Sequence, residues 1–159
     1  ATPLRFTNTD AELTGIDADL GWQMTPDLRL DAVISYVRGK RRDTADNLYR
    51  IAPLNGRAAL TYRQPVWSAS AEFVWAAAQH KVSASNGESA SPGWAIANFW
   101  AEWQLSPGLR LSGGFENVFD RRYADHLAGI NRIRLSDVAV GNRLPGTGRS
   151  AFLRLGFDF

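Results

Sequence analysis

Apolar and polar residues alternate with a period of two over most of the chain. From Ile16 the positions Ile16, Ala18, Leu20, Trp22 and Met24 are apolar, while Gly15, Asp17, Asp19, Gly21 and Gln23 between them are small or polar. Successive side chains of a strand point to opposite faces, so this spacing predicts a strand with one apolar and one polar face. Thr25-Pro26-Asp27 then predicts a tight turn, with proline pre-setting φ. The same alternation returns at Leu28–Tyr36, Ala58–Tyr62, Trp67–Ala77, Ala95–Leu105, Leu109–Phe115 and Ala151–Phe159. Turn chemistry at Gln64-Pro65 and Ser106-Pro107-Gly108 alternates with long polar segments at about 39–55, 81–93 and 120–148. The expectation is an all-β, antiparallel up-and-down meander of about seven strands, with every short turn at one end.

Orientation is the next question. The apolar positions of the predicted strands carry no charge, and the opposite positions mix Arg, Asp, Glu, Ser and Gly. Aromatic residues sit near strand ends on the apolar face. Trp22, Tyr62, Trp67, Trp103, Phe157 and Phe159 lie by the short turns, and Tyr36 and Trp75 lie towards the long loops. A soluble ligand-carrying barrel would turn this face inward, whereas a membrane barrel turns it out to lipid. Arg or Lys at mid-bilayer costs roughly 2–4 kcal/mol, which accounts for a charge-free band. Trp and Tyr favour the headgroup level, and short turns opposite long loops are the asymmetry of outer-membrane barrels. The pattern therefore predicts a transmembrane β-barrel of the outer-membrane kind, with lipid as a partner. A self-contained small outer-membrane barrel is the alternative, and a soluble ligand-binding barrel a weaker one.

Composition narrows the choice. The chain has 159 residues, 45% of them hydrophobic and 21% charged, which excludes a disordered tail. Its longest apolar run, Phe73 to Ala78, is far short of the roughly 20 residues of a transmembrane helix. There is no cysteine, so thiol catalysis and Cys-ligated zinc are excluded. Net charge is +2, and all but two of the eighteen cations are Arg, dispersed along the chain. No basic tract points to nucleic acid. No spacing of carboxylates or hydroxyls defines an active site, and no enzyme activity or cofactor is expected.

Several segments carry a family resemblance. Gly114-Phe-Glu-Asn-Val-Phe-Asp-Arg-Arg-Tyr123 resembles the N-[LV]-F-D-x-x-Y segment near the C-terminus of TonB-dependent outer-membrane receptors. Asn8-Thr-Asp-Ala-Glu-Leu-Thr-Gly-Ile-Asp17 resembles their N-x-D-A-x-x-x-G-x-E strand opening, with Asp17 where Glu is usual. Ile51-Ala-Pro-Leu-Asn-Gly-Arg57 resembles their I-P-P-x-x-x-R entry to the next strand. The alternation Leu153, Leu155, Phe157, Phe159 resembles the terminal signature read by the barrel-assembly machinery. Asp125-His-Leu127 with Leu144-Pro-Gly-Thr-Gly-Arg149 is similar to the copper-receptor branch.

The resemblance implies a barrel of about 22 strands around a plug. Residues 1–159 would then be the C-terminal segment of such a barrel, with the plug, earlier strands and TonB contact outside this chain. Leu4-Arg5-Phe6 would be the stub of an eighth strand. The implied function is active import of a metal or metal chelate, copper or an iron–siderophore, with TonB-derived energy. The charges Asp17, Asp19, Arg29, Asp31, Arg57, Glu72, Glu102, Arg110, Glu116 and Arg154 would line the lumen. The plainer account of each is a solvated ion pair between strands. His80 and His126 are the candidate metal ligands, since imidazole suits copper. The plainer account of the pair is two exposed loop side chains. Arg121-Arg122 and Lys40-Arg41-Arg42 lie beyond strand ends, where they could meet lipopolysaccharide phosphates or an anionic chelate.

Overall fold

The computed structural model describes residues 8–158. They form one antiparallel sheet of seven strands in chain order: β1 (Ala11–Gln23), β2 (Leu28–Arg41), β3 (Asn55–Arg63), β4 (Trp67–Ala76), β5 (Trp94–Ser106), β6 (Leu109–Glu116) and β7 (Ser150–Phe157). Each strand pairs with its sequence neighbours, as the meander predicts, and there is no helix among the described residues. The sheet is not closed: β1 and β7 each have one unpaired edge among the described residues. The proposed stub at Leu4-Arg5-Phe6, and Phe159 of the terminal signature, lie outside those residues.

The three short connections are built as their residues suggest. In the β1–β2 turn the Thr25 hydroxyl accepts the Leu28 N–H at 3.0 Å, and the Gln23 amide donates to the Thr25 carbonyl at 2.7 Å. Between β3 and β4 the Gln64 N–H donates to the Trp67 carbonyl at 2.8 Å. The β5–β6 turn needs a residue at positive φ, and Gly108 supplies it at +79°. A Cβ there would also lie 2.6 Å from the Asp158 carbonyl oxygen, so glycine is required twice over.

Directly paired residues of an antiparallel ladder share a face, so the register sorts the side chains. One row runs Leu20, Ala32, Ala58, Phe73, Ala97; another runs Leu30, Leu60, Ala71, Phe99, Phe115, Ala151; a third, nearer the short turns, runs Trp67, Trp103, Leu111, Leu155. Tyr62 and Trp67 meet at this end with ring centroids 5.5 Å apart. On the other face, rows such as Asp31, Ala59, Glu72, Asn98 and Ser68, Glu102, Ser112, Arg154 collect the charges. That face is less polar than alternation suggested, because Val33, Val74, Ile96, Trp100 and Phe152 share it.

Nothing among the described residues covers the apolar face. Leu20, Phe73, Phe99 and Leu155 are 44–52% exposed, and Ala76 is the only buried hydrophobic residue among those described. A soluble barrel would have packed these side chains into a dry centre, at roughly 25 cal/mol for each Å² buried. Here they stand open, row beside row, where soluble monomers rarely expose contiguous apolar surface.

Strands β1 and β2 run further than the alternation indicated. Pairing continues to Ala11 opposite Arg41, with Thr14 opposite Arg38 and Glu12 opposite Lys40. The apolar face therefore ends in charged residues on the long-loop side, beyond Ile16 and Tyr36. Alternation vanishes there because both faces become polar, while the backbone ladder continues regardless.

Candidate functional site

The charged face is a set of local ion pairs and hydrogen bonds. All ten predicted lumen-facing residues share this face: Asp17, Asp19, Arg29, Asp31, Arg57, Glu72, Glu102, Arg110, Glu116 and Arg154. Arg29 holds Asp31 through two nitrogens, at 2.8 and 2.7 Å. Arg57 lies 3.4 Å from Glu72, whose other oxygen accepts the Asn98 amide at 3.0 Å. Arg110 lies 3.7 Å from Glu102, Ser150 donates to Glu116 at 3.3 Å, and Ser35 donates to Asp17. Asp19 and Arg154 have no ion-pair partner among the described residues. Above these pairs lies a cavity of about 360 Å³ bounded by Val33, Arg57, Val74, Trp94, Asp125 and Leu127. The Trp94 indole N–H is buried there without a hydrogen-bond partner.

The three long loops do not wave separately. Glu88 (β4–β5 loop) accepts the Arg50 N–H from the β2–β3 loop at 3.0 Å and the Ser83 N–H at 2.9 Å. Its carboxylate also meets His126 Nε2, from the β6–β7 loop, at 3.2 Å. Arg143 donates to the carbonyls of Ser89, Ala90 and His126 at 2.6–3.1 Å, and Arg50 donates to the Leu127 carbonyl. Asp46 closes the outer side, accepting from Ser83, Ala84 and Ser85 at 2.7–3.1 Å. Those donors hold its carboxyl well below the usual range, the Ser85 hydroxyl most of all.

His126 sits at the centre of this cluster and is 4% exposed, which corrects the expectation of an open loop side chain. Ser91 Oγ lies 2.9 Å from Nδ1 and Arg143 Nη2 lies 3.3 Å from it. The neutral ring fits: Nε2–H donates to Glu88, and Nδ1 accepts from Ser91 and Arg143. Burial, and next the Arg143 charge, hold its pKa below the ordinary value, against the pull of Glu88. His80 stands elsewhere, in an exposed notch beside Arg38 and Lys81. The two histidines are not brought together, and no group of three or more metal-donor side chains occurs among the described residues.

The family-like motifs turn out to be architectural. Asn117, 2% exposed, bonds the Arg121 and Thr147 carbonyls at 2.9 and 3.1 Å through its amide nitrogen. Its side-chain oxygen accepts the Arg121 N–H at 2.8 Å, and its own N–H donates to Asn98 at 2.9 Å. Asp120 accepts the Arg149 N–H at 2.9 Å. Asn117 and Asp120 both adopt positive φ, which Asn and Asp tolerate best after glycine. Tyr123 stacks on Trp94 at 4.5 Å, and its ring lies where any Cβ on Gly146 would stand. The N-V-F-D-R-R-Y and P-G-T-G-R segments are thus two halves of one clasp at the top of β6 and β7. Glu88, Arg143 and Arg50 were not singled out by any pattern in the sequence.

A sheet with an uncovered apolar face, an ionic opposite face and loops massed at one end defines part of the wall of a transmembrane barrel. Residues 1–118 match the family described as "TonB dependent receptor-like, beta-barrel", and the chain belongs to it. Its members are bacterial outer-membrane proteins. Among solved structures, "Copper transporter OprC" superposes with a TM-score of 0.89 at 26% identity, over 96% of this chain and 24% of that one. The ferric yersiniabactin uptake receptor FyuA from Yersinia pestis gives 0.72 at 15% identity, over 94% of this chain and 24% of that one. The Pseudomonas aeruginosa receptor FpvA gives 0.66 at 14% identity, over 94% and 20%. The last two likenesses speak to fold alone. This chain spans about a quarter of OprC's length. No curated protein matches the sequence.

Proposed function

We propose that residues 1–159 are the C-terminal segment of the barrel wall of an active-transport receptor that imports a metal or metal chelate, copper or an iron–siderophore, with energy from TonB. The observation that carries this reading is the two-faced sheet: an uncovered apolar side with charges only at its long-loop rim, against an ionic side, in a chain of this family. The apolar side faces acyl chains. The ten charges named above line the lumen and face the plug. The tied loops form part of the outer vestibule. Leu153, Leu155 and Phe157, with Phe159, present the terminal signature to the barrel-assembly machinery. TonB engages a region outside this chain. Likeness to OprC favours copper as the cargo, although His80 and His126 lie apart, so a metal site would draw donors from the rest of the receptor. No covalent chemistry is assigned to this segment.

The test is uptake. The full receptor is expressed in a strain lacking its own copper and siderophore receptors, with and without TonB, and cell-associated copper and iron are measured. Accumulation of one cargo that disappears without TonB is expected. Uptake that persists unchanged without TonB refutes active transport, and equal diffusion of small neutral solutes points to a simple pore.

A further inference from the structure

The pairing of β2 with β3 ends at Ser35 opposite Asn55, and β2 continues to Arg41 against β1, with the segment Asp46–Leu48 bonded to its other edge only from Gly39 to Arg41. The chain entering β3 and the chain leaving β4 hold each other beside the part of β2 between these two pairings, at Tyr36–Arg38. Ala77 N–H donates to the Leu54 carbonyl at 2.8 Å, and the Gln79 amide donates to the Ile51 carbonyl at 3.0 Å. A notch of about 160 Å³ remains, lined by Tyr36, Arg38, Leu54, Ala77, His80 and Lys81. Lys81 Nζ donates to the Tyr36 hydroxyl at 3.2 Å and lies 5.8 Å from its ring centroid.

The even positions of β2 place Arg38 and Lys40 on the same side as Ile34 and Tyr36, opposite to Asp31 and Ser35. These cations therefore top the apolar face and are turned away from the lumen. Height agrees: a tilted strand crosses hydrocarbon in about 9–11 residues, and counting from Leu28 that distance ends near Arg38. Arg38, Lys40 and Lys81 have no ion-pair partner among the described residues. Arg42 has only Glu12, at 3.7 Å with both side chains largely exposed. Asp43 is held by Arg41 at 2.6 Å. The rim is left with a net excess of cations above a tyrosine, and no carboxylate lines the notch.

We infer that this notch is a binding site for a phosphorylated headgroup of the outer-leaflet glycolipid, lipopolysaccharide. Arg38 presents a guanidinium fork to phosphate, and Lys81 and Lys40 add point charges. Tyr36 sits at the headgroup level with its ring against acyl chains and its hydroxyl holding Lys81. A soluble anion entering by the lumen would meet the opposite face of the sheet. The inference rests on the outward orientation proposed above. It also gives His80 a neighbourhood of positive charge, which disfavours a metal cation there.

The experiment uses the full receptor purified from outer membranes in detergent, stripped of lipid. Diphosphorylated lipid A, dephosphorylated lipid A and inorganic phosphate are titrated separately, with binding read by native mass spectrometry and thermal shift. Diphosphorylated lipid A is expected to bind and raise the melting temperature, and the other two are not. The triple variant R38Q/K40Q/K81Q should weaken that binding roughly tenfold or more, since each charge-assisted bond lost is worth more than a neutral one. R38K alone should keep the charge but lose part of the binding, less than the triple variant loses, because an ammonium cannot make the forked contact. Heat-modifiable migration on a gel reports that each variant still forms a barrel. Equal binding by the triple variant, or by dephosphorylated lipid A, overturns the site. A response to inorganic phosphate alone replaces the lipid with a soluble anion. The variant R110Q/R154Q, on the opposite face, separates the two readings. Loss of lipid binding in this variant, and not in the rim variant, overturns the orientation itself.

Discussion

A buried histidine between a carboxylate and a guanidinium shows how little a single residue says about its own job. His126 stands next to Asp125 in sequence, yet its partners are Glu88 and Ser91 in one loop and Arg143 further along its own. Nothing local could report that, and imidazole in a polar segment reads equally well as an exposed side chain or a ligand. The structure supplies a definite pH dependence instead. The ring's pKa is lower in the folded loops than its ordinary 6.5, so the unfolded segment takes up a proton first. The stabilisation is complete above about pH 6.5 and is lost as pH falls through the folded value. Hydrogen exchange of the amides around Glu88, Ser91 and His126, corrected for intrinsic rates, should therefore accelerate below pH 6.5. Protection that rises on acidification would contradict a neutral ring. Asn117 and Asp120 are the converse case. Their residue types were legible as a family-like motif, but their work as a clasp was visible only once Thr147 and Arg149 came within reach.

Strands were the most legible level, because each of the seven repeats the same alternation and the three short turns carry proline or glycine where φ demands it. Strand ends were less so. β1 and β2 continue beyond the alternation because hydrogen bonds between backbones do not depend on which side chains are apolar. Val33, Val74, Ile96 and Trp100 on the ionic face were less legible for a related reason: a polar face tolerates apolar residues among its charges, whereas a lipid-facing one cannot carry charge. Neighbouring residues of β3 make this testable. Ala58 lies between Ala32 and Phe73 on the apolar face, and Ala59 lies between Asp31 and Glu72 on the other. Ala58→Arg should destabilise the receptor in lipid vesicles by about 2–4 kcal/mol. Ala59→Arg, with a carboxylate on either side, should change stability by no more than about 0.5 kcal/mol. Denaturant unfolding in vesicles of both variants gives the comparison, and a reversed order would mean that the faces are exchanged.

At the scale of the whole molecule the sheet is a panel with two raw edges among the described residues. The outer sides of β1 and β7 expose unpaired backbone among the described residues, and the apolar face has no protein cover. Both are templates for association. The isolated chain is expected to stay dispersed only in detergent and to form dimers or larger species there. Sedimentation with and without detergent measures this, and a stable monomer in plain buffer would rule out a lipid-facing sheet. At the long-loop end, Glu88, His126 and Arg143, with Arg50 bound to Glu88, fasten the three long connections into a single block. In the proposed receptor, a vestibule braced along this stretch would not widen by peeling it back turn by turn. Whatever swings to admit cargo would hinge against this segment, as a door does against its jamb.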